Sequence, residues 1–504
     1  MKVIFRIFSV LPLLLAALHA SDDSQPEPRM MDLNVVALDA HGAPVTDLTR
    51  DDFRVFDAGS SQTIAFFRHR DNASAPNPHL APNEVSNRSA ANVPRATLLL
   101  LDLMNQEFST RGITANALIH ELETLESPDY VYLYLVTVNG GLYPIHGLPG
   151  AAGETAPEDG QPWTHHAKAL IDQGMRTVLQ VRDPDLRVSI DYRTQLTFQV
   201  LDQVAFLLSA VPGRKSIVWL TDGVPIELGP RRSGTGEWLD YTPLLRRMGE
   251  AMDRSDVSIY PVRSIMIGSP SNVNGANYDG TGALETLDMF AQMTGGRPDA
   301  GKDIGAALRQ AMSDMRTSYQ IGYYPPASAW DNKFHKLRIT CSRKGVRIQA
   351  KTGYYAWREA AGAKSTQALL SALSARFDAA EIGLRASLAP IPQEPRAMRL
   401  DAHIDTHDVV LVHQGQSYDG QLRLAIAGMV PGATPQSSPL IPLDLHYTAA
   451  ERDRALAEGI PFTQNVALSQ EMEAVRLIVY DRGSEAIGSV TIPVPPAASR
   501  NPKP

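Results

Sequence analysis

The stretch Ala96-Thr97-Leu98-Leu99-Leu100-Leu101-Asp102 decides the predicted fold. It is an apolar run of strand length that ends at an acidic residue, and Val218-Trp219-Leu220-Thr221-Asp222-Gly223 has the same form. Short runs of this kind are typical of strands that are buried on both faces of a parallel sheet. Similar runs lie at 130–138, 257–262 and 318–324, with helical patterns between them. The sequence therefore predicts an α/β fold class, a doubly wound parallel sheet with helices on both faces.

The two acidic residues Asp102 and Asp222 follow directly after predicted strands. Ligands of doubly wound sheets bind outside the carboxyl ends of the strands, and both residues belong to that edge. Two carboxylates that converge there could bind a hard cation, which prefers oxygen ligands. The carboxyl-end edge is therefore the predicted functional site.

The composition excludes several classes of function. The chain has 504 residues, 47 Lys plus Arg against 55 Asp plus Glu, and one cysteine. A formal net charge of −8 disfavours nucleic-acid binding, which needs concentrated positive charge. One cysteine supports neither an intramolecular disulfide nor a thiolate metal cage. The length allows several domains.

The amino terminus has the pattern of a secretory signal peptide over residues 1–20. Lys2 and Arg6 accompany an apolar run, Ile7 to Leu18, and small Ala20 precedes the polar stretch that begins at Ser21. We expect a secreted or periplasmic protein with no transmembrane anchor after signal cleavage.

Beyond the signal, changes of pattern divide the chain into three predicted folded units. Alternating β segments at 31–70 and 325–357 are predicted to form one discontinuous β-sandwich domain. The strand and helix alternation at 96–324 is predicted to be an α/β domain inserted between them. Alternating strands with Gly and Pro turns at 376–497 predict a C-terminal β-sandwich domain.

Several separate motifs occur in an order that resembles a known family. They are Gly42-Ala43-Pro44-Val45-Thr46-Asp47-Leu48, Pro212-Gly213-Arg214-Lys215, Thr221-Asp222-Gly223, Thr294-Gly295-Gly296, Gly322-Tyr323-Tyr324-Pro325 and Gly353-Tyr354-Tyr355. The central segment resembles a von Willebrand factor type A (VWA) domain, and residues 31–357 resemble the VWFA-related family of acidobacteria. Residues 360–504 have no such resemblance.

The resemblance implies a Mg²⁺ site at the predicted carboxyl-end edge. In the family, an Asp, two Ser, a Thr and the Asp of Thr-Asp-Gly hold the ion, and a partner carboxylate completes its coordination. Asp102 and Asp222 match the two Asp positions, and Thr194 or Thr197 matches the Thr. The candidate Mg²⁺ ligands are therefore Asp102, Asn105, Thr194 and Asp222.

The motif is degenerate, because Met104 and Gln106 stand where the family has the two serines. A thioether is a poor ligand for Mg²⁺, and an amide oxygen from Asn105 or Gln106 fits its octahedral geometry less readily. The alternative is structural. In it, Asp102 caps the turn after its strand and Asp222 fixes the Thr-Asp-Gly loop by hydrogen bonds to backbone amides.

One further cluster is predicted to be structural. His403, Asp405, His407 and Asp408 lie close together in sequence, but alternation at a strand end sends neighbours to opposite faces. The predicted role is the solvated edge of a turn.

The predicted function is an exported, non-enzymatic binding or adhesion protein. It presents a partner-binding face at the carboxyl ends of its sheet to a protein or cell-envelope ligand, through loops at 103–112, 139–166, 223–240 and 263–282. The alternative is a metal-dependent hydrolase that uses Asp102 and Asp222. No nucleic-acid partner is expected.

Overall fold

A computed structural model describes most of the chain. The described residues are 30–71, 80–88, 96–125, 128, 130–148, 161–179, 190–229, 236–264, 281–297, 303–356, 369–373 and 378–495, without positions 82, 107, 210, 212, 213, 332, 371, 393, 395, 396, 432, 434 and 470. The predicted signal segment, 1–20, lies outside them, as do 149–160, 230–235 and 265–280 of the predicted partner-binding loops.

Strands are spread along the whole described chain. They are β1 (Met31–Leu38), β2 (Phe53–Asp57), β3 (Ser60–Gln62), β4 (Phe66–Asp71), β5 (Glu84–Ser86), β6 (Ala96–Asp102), β7 (Val131–Val136), β8 (Leu142–His146), β9 (Lys215–Thr221), β10 (Glu227–Leu228), β11 (Leu239–Asp240), β12 (Val257–Arg263), β13 (Thr317–Tyr323), β14 (Phe334–Cys341), β15 (Arg347–Gln349), β16 (Gly353–Tyr355), β17 (Leu384–Pro390), β18 (Ala397–Ile404), β19 (Val412–Gln414), β20 (Ser417–Met429), β21 (Gln436–Ser437), β22 (Ile441–Tyr447), β23 (Ile460–Ala467), β24 (Ala474–Asp481) and β25 (Ile487–Pro493).

Most of the helices lie between β6 and β13. The α-helices are α1 (Phe108–Glu123), α2 (Ala167–Leu179), α3 (Ile190–Ser209), α4 (Thr242–Arg254), α5 (Thr281–Thr294), α6 (Ile304–Arg316) and α7 (Ala449–Glu458), and short 3₁₀ helices lie at Arg50–Asp52, Trp163–His166, Ala327–Ala329 and Thr406–Asp408. No helix in the described ranges is long and apolar enough to cross a membrane.

The central sheet is mixed, with the strand order β12-β9-β6-β7-β8 in the described chain. The strands β12, β9, β6 and β7 run parallel, but β8 pairs antiparallel with β7. A tight turn forces this reversal, because the Gly141 amide donates to the Thr137 hydroxyl and Gly140 has a φ of 80°. The predicted fold class, a doubly wound parallel sheet, is therefore wrong.

A second finding also contradicts the predicted fold class. The run at 318–324 was predicted to be a parallel strand of the central sheet, but β13 lies in a different sheet and pairs antiparallel with β1 and β4. More of the described residues lie in strands than in helices, and most strands belong to antiparallel sheets. Apolar periodicity shows that a strand is buried, but it does not reveal its partner.

Buried apolar side chains cover both faces of the central sheet. Alternate residues of β6 point to opposite faces, so Leu98 and Leu100 join one core cluster while Leu99 and Leu101 join another. Helices α3 and α4 contribute side chains to the first cluster, and α1, α2 and α6 contribute to the second. Two-sided burial explains the uninterrupted apolar sequence of the strand.

The strands that flank the central segment in sequence pair with one another. Strand β1 pairs with β13 and β15, and β2 pairs with β14, so residues from both ends of the central segment form two small antiparallel sheets. A shared apolar cluster that includes Leu33, Phe53, Tyr319 and Leu337 packs between them. The division of the chain into domains remains a prediction.

The C-terminal strands also form antiparallel sheets. One has the order β23-β18-β17-β5, and β20 of the other pairs with β19, β21, β22 and β24. Buried side chains of both sheets, among them Leu400 and Leu424, form one core cluster. Strand β5 comes from the segment between β4 and β6, and its three residues pair antiparallel with β17.

The amino-end edge of the central sheet contacts the small antiparallel sheets. Asn34 Nδ2 donates to Asp256 Oδ1 at 2.7 Å, and Lys351 Nζ donates to Asp253 Oδ1 at 2.6 Å. Both aspartates lie just before β12. Gln349 Nε2 adds a hydrogen bond to the carbonyl of Gly295, after α5, at 3.2 Å. These contacts use one edge of the central sheet and leave its carboxyl-end edge on the opposite side.

Candidate functional site

The carboxyl-end edge brings the ends of β6 and β9 together. The two strands are adjacent and parallel, with Leu101 opposite Leu220, so the following residues Asp102 and Thr221 are neighbours. Thr221 Oγ1 donates to Asp102 Oδ2 at 2.8 Å and accepts from the Gly223 amide at 3.1 Å. The threonine of the Thr-Asp-Gly motif thus joins the two loops that leave this edge.

Asp102 is the centre of a buried hydrogen-bond network. The residue is only 1% exposed. Its Oδ1 accepts from the backbone amides of Met104 and Asn105, both at 3.0 Å, and its Oδ2 accepts from Asn105 Nδ2 and Thr221 Oγ1, both at 2.8 Å. Burial raises the pKa of Asp102, although the hydrogen bonds from Asn105 and Thr221 oppose that rise. The predicted cap on the turn after β6 is confirmed.

Asn105 and Gln106 also use their amide groups inside the protein. Asn105 Nδ2 donates to Thr197 Oγ1 at 2.8 Å as well as to Asp102, and Gln106 Nε2 donates to the carbonyl of Leu220 at 2.9 Å. Both side chains are buried. Their positions tie the loop after β6 to helix α3 and strand β9.

The remaining candidate ligands, Thr194 and Asp222, are buried at the same edge. The Thr194 hydroxyl donates to the carbonyl of Ile190 at 2.8 Å, one turn earlier in α3. Burial lowers the pKa of Arg263, the last residue of β12, and the negative charge of Asp222 partly opposes this change. Of the four candidate Mg²⁺ ligands, the structure joins Asp102 and Asn105 by a direct hydrogen bond.

This donor set does not fit Mg²⁺. Both oxygens of Asp102 already accept two hydrogen bonds each, and Asn105 turns its amide nitrogen, not its oxygen, towards the carboxylate. A cation would have to displace these donors and would also repel the amide hydrogens that face Asp102. Among the described residues, no group of three or more His, Cys, Asp or Glu has the arrangement of a metal site. The same hydrogen bonds restrict Asp102 as a general base, because its lone pairs are in use.

Sequence analysis missed two arginines at this edge. Arg111 lies in the first turn of α1, which follows β6, and Arg193 lies in the first turn of α3, close to Thr197. Burial and repulsion by Arg193 lower the pKa of Arg111, while attraction to Asp102 raises it. Because a helix that follows or precedes a parallel strand has its amino-terminal turn at the carboxyl-end edge, topology could have placed both residues there.

Large apolar side chains are exposed around the same edge. Phe108 is 82% exposed at the start of α1. The guanidinium carbon of Arg111 lies 5.8 Å from the centroid of the Phe108 ring. Trp238 is 73% exposed just before β11, in the segment that follows β9. Tyr192, beside Arg193 in α3, is also exposed. Exposed aromatic residues with neighbouring arginines are typical of protein interfaces.

The predicted solvated turn at 403–408 is wrong for Asp408. This residue is 2% exposed, and its carboxylate accepts hydrogen bonds from Arg68 of β4, from Arg88 after β5 and from the Gly383 amide. Asp405, in contrast, is partly exposed and pairs with Arg88 at 3.0 Å. The two arginine partners lie more than 300 residues earlier in the chain, so local alternation could not reveal them.

The comparisons with known proteins leave the family open. No protein-family model matches the sequence, and no curated protein matches it. The resemblance to the VWFA-related family therefore remains a prediction that rests on the motifs.

Proposed function

We propose that the protein is an exported, non-enzymatic binding protein that engages a protein or cell-envelope ligand at the carboxyl-end edge of its central sheet. The observation that carries this proposal is the exposure of Phe108 and Trp238 around the buried Asp102 network. Aromatic residues and arginines are enriched at protein–protein interfaces relative to the rest of the protein surface. The signal-like segment at 1–20 supports export.

The opposite edge of the sheet gives a second argument. Contacts such as Asn34 to Asp256 and Lys351 to Asp253 occupy the amino-end edge, so a partner that docks there would have to compete with the chain itself. The carboxyl-end edge also has a rigid foundation, because Asp102, Asn105 and Thr221 fix its loops. A fixed surface binds with a smaller entropic cost than a surface that must be ordered.

A retention experiment tests the proposal. The full chain is immobilised and exposed to the native envelope fraction, with and without a chelator. We expect the double variant Phe108→Ser, Trp238→Ser to lose specifically retained material, and we expect the chelator to have no effect. Leu440→Ser, which changes another exposed apolar residue in the C-terminal sheets, is the matched control. Equal retention by wild type and double variant would contradict the proposal.

A second outcome would replace the proposal with the alternative function. Hydrolysis of an ester or peptide substrate by the wild-type protein, abolished by Asp222→Ala, would identify a metal-dependent hydrolase. A binding protein has no turnover to lose in this assay.

A further inference from the structure

The arginine pair, Arg111 and Arg193, brings positive charge to the carboxyl-end edge, and neither side chain forms an ion pair with another described residue. Both side chains are half-buried, and their Nε atoms are buried without a hydrogen-bond partner in the described part of the chain. Arg193 adjoins the Asp102 network, because Thr197 Oγ1 donates to its carbonyl at 2.8 Å and accepts from Asn105 Nδ2 at 2.8 Å. The positive charge of Arg193 also contributes to lowering the pKa of Arg111. Asp102 attracts Arg111, but the two half-buried positive charges still repel each other, and an anionic ligand would reduce that cost.

The neighbouring carboxylate is not available as a direct partner. Asp102 attracts Arg111 electrostatically, but its two oxygens accept hydrogen bonds from Met104, Asn105 and Thr221. A guanidinium presents several N–H donors in one plane, which matches the two oxygens of a carboxylate. The arginine pair therefore retains donors for a carboxylate from outside the protein.

Two further buried polar atoms at this edge suit a peptide. Gln106 Oε1 has no hydrogen-bond donor in the described ranges, although the residue is only 3% exposed, and Ser264 Oγ, just after β12, also has no described partner. A hydrogen-bond acceptor at the same edge as two arginines suits a ligand that offers both carboxylates and N–H groups. Phe108 and Trp238 add apolar contact area around them.

From these observations, and resting on the proposed function, we propose that the arginine pair binds the carboxylate side chains of an acidic protein segment directly, without a bridging metal ion. The protein as a whole is acidic, so attraction at this edge is local and specificity comes from the guanidinium geometry.

Selection from a displayed random-peptide library tests this inference on the full chain. We expect the selected peptides to be enriched in Asp and Glu. Fluorescein-labelled copies of these peptides should bind with the same Kd in EDTA and in Mg²⁺. Copies with Asn and Gln in place of Asp and Glu should bind roughly tenfold or more weakly, because each loses charge-assisted hydrogen bonds.

Variants of the arginine pair locate the contact. Arg111→Gln and Arg193→Gln should each weaken binding of the acidic peptides roughly tenfold, whereas Arg193→Lys should retain part of the affinity because it keeps the charge without the planar fork. Arg347→Gln, an exposed arginine of β15, is the matched control and should bind like the wild type. Unchanged binding by both glutamine variants would overturn the inference.

Other outcomes separate the inference from the proposed function. Selected peptides without acidic enrichment, which bind through Phe108 and Trp238, would refute the inference and leave the proposed function intact. Peptides that are insensitive to both aromatic residues and both arginines would refute both. Binding of polygalacturonate, but of no peptide, with dependence on Arg111 and Arg193 would replace the acidic protein segment with an acidic polysaccharide.

Discussion

Replacing Asp102 with alanine tests whether this residue is a structural cap. The substitution removes the acceptor for the backbone amides of Met104 and Asn105, which donate at 3.0 Å in a site that is 1% exposed. An unsatisfied buried donor costs about 1–3 kcal/mol. Removing the acceptor of both amides should therefore destabilise the loop after β6 by about 2–6 kcal/mol.

Amide hydrogen exchange measures this local effect. Since about 1.4 kcal/mol corresponds to a factor of ten, the Met104 and Asn105 amides should exchange roughly 30-fold faster or more in Asp102→Ala. Exchange is followed by mass spectrometry in peptides that cover the loop. Strands outside the central sheet, such as β20, provide the internal reference.

Asp102→Asn is the matched variant, because it keeps one acceptor oxygen. With that oxygen towards Met104 and Asn105, both amides should keep nearly wild-type exchange. The new NH₂ group then faces the Asn105 side-chain amide and the Thr221 hydroxyl. Faster exchange should therefore appear at the Gly223 amide, which donates to Thr221 Oγ1.

Two results would refute this reasoning. The first is unchanged exchange of the Met104 and Asn105 amides in Asp102→Ala, which would mean that the cap does not hold the loop. The second is a slower exchange of the wild-type loop in millimolar Mg²⁺, because the saturated carboxylate is expected not to respond to the ion.

Three further predictions follow from buried charges. Asp408→Ala should destabilise the protein by about 3–5 kcal/mol, because it leaves Arg68 buried without its carboxylate. Denaturant unfolding should show a much smaller effect, about 0–1 kcal/mol, for Asp401→Ala, whose carboxylate is partly exposed. Asp57→Asn should also lower the denaturation midpoint, because the Asp57 carboxylate accepts from two buried tyrosines at 2.8 Å. Burial raises the pKa of Asp102, so its contribution to stability is fully present below about pH 4 and is lost as the pH rises through the folded-state pKa. The stability of wild type relative to Asp102→Asn should therefore fall between acidic and neutral pH, and a flat difference would contradict this.

The strands of the central sheet could be predicted from sequence, but their arrangement could not. The apolar runs that became β6 and β9 are long, continuous and buried on both faces, which is a local property. The partner of β13 is not local, because an apolar strand is equally stable in a parallel or an antiparallel sheet that buries it. The three-residue β5 carries too little periodicity for any prediction.

The candidate site was predictable to a similar degree. The end of a parallel strand placed Asp102 at the carboxyl-end edge, and the structural alternative described its cap correctly. The replacement of the motif serines by Met104 and Gln106 predicted a degenerate metal site, and this stays a prediction. The arginine pair was missed because each arginine alone looks like an ordinary helix surface residue, and only the sheet topology brings Arg111 and Arg193 together.

The hydrogen bonds at the carboxyl-end edge explain how contacts within the protein can keep the shape of this site. A metal ion would hold the loops after β6 and β9 by coordinating residues of both. Here the same loops are joined by Thr221 and Asn105, which donate to one buried carboxylate. Because these bonds are internal, Asp102 needs neither an ion nor a partner to be satisfied, and the positive charge for an anionic partner has to come from side chains such as Arg111. The internal hydrogen bonds of Asp102 therefore account for two expected results. The loop after β6 should lose its geometry in Asp102→Ala, and the wild-type protein should still bind the acidic peptides in EDTA.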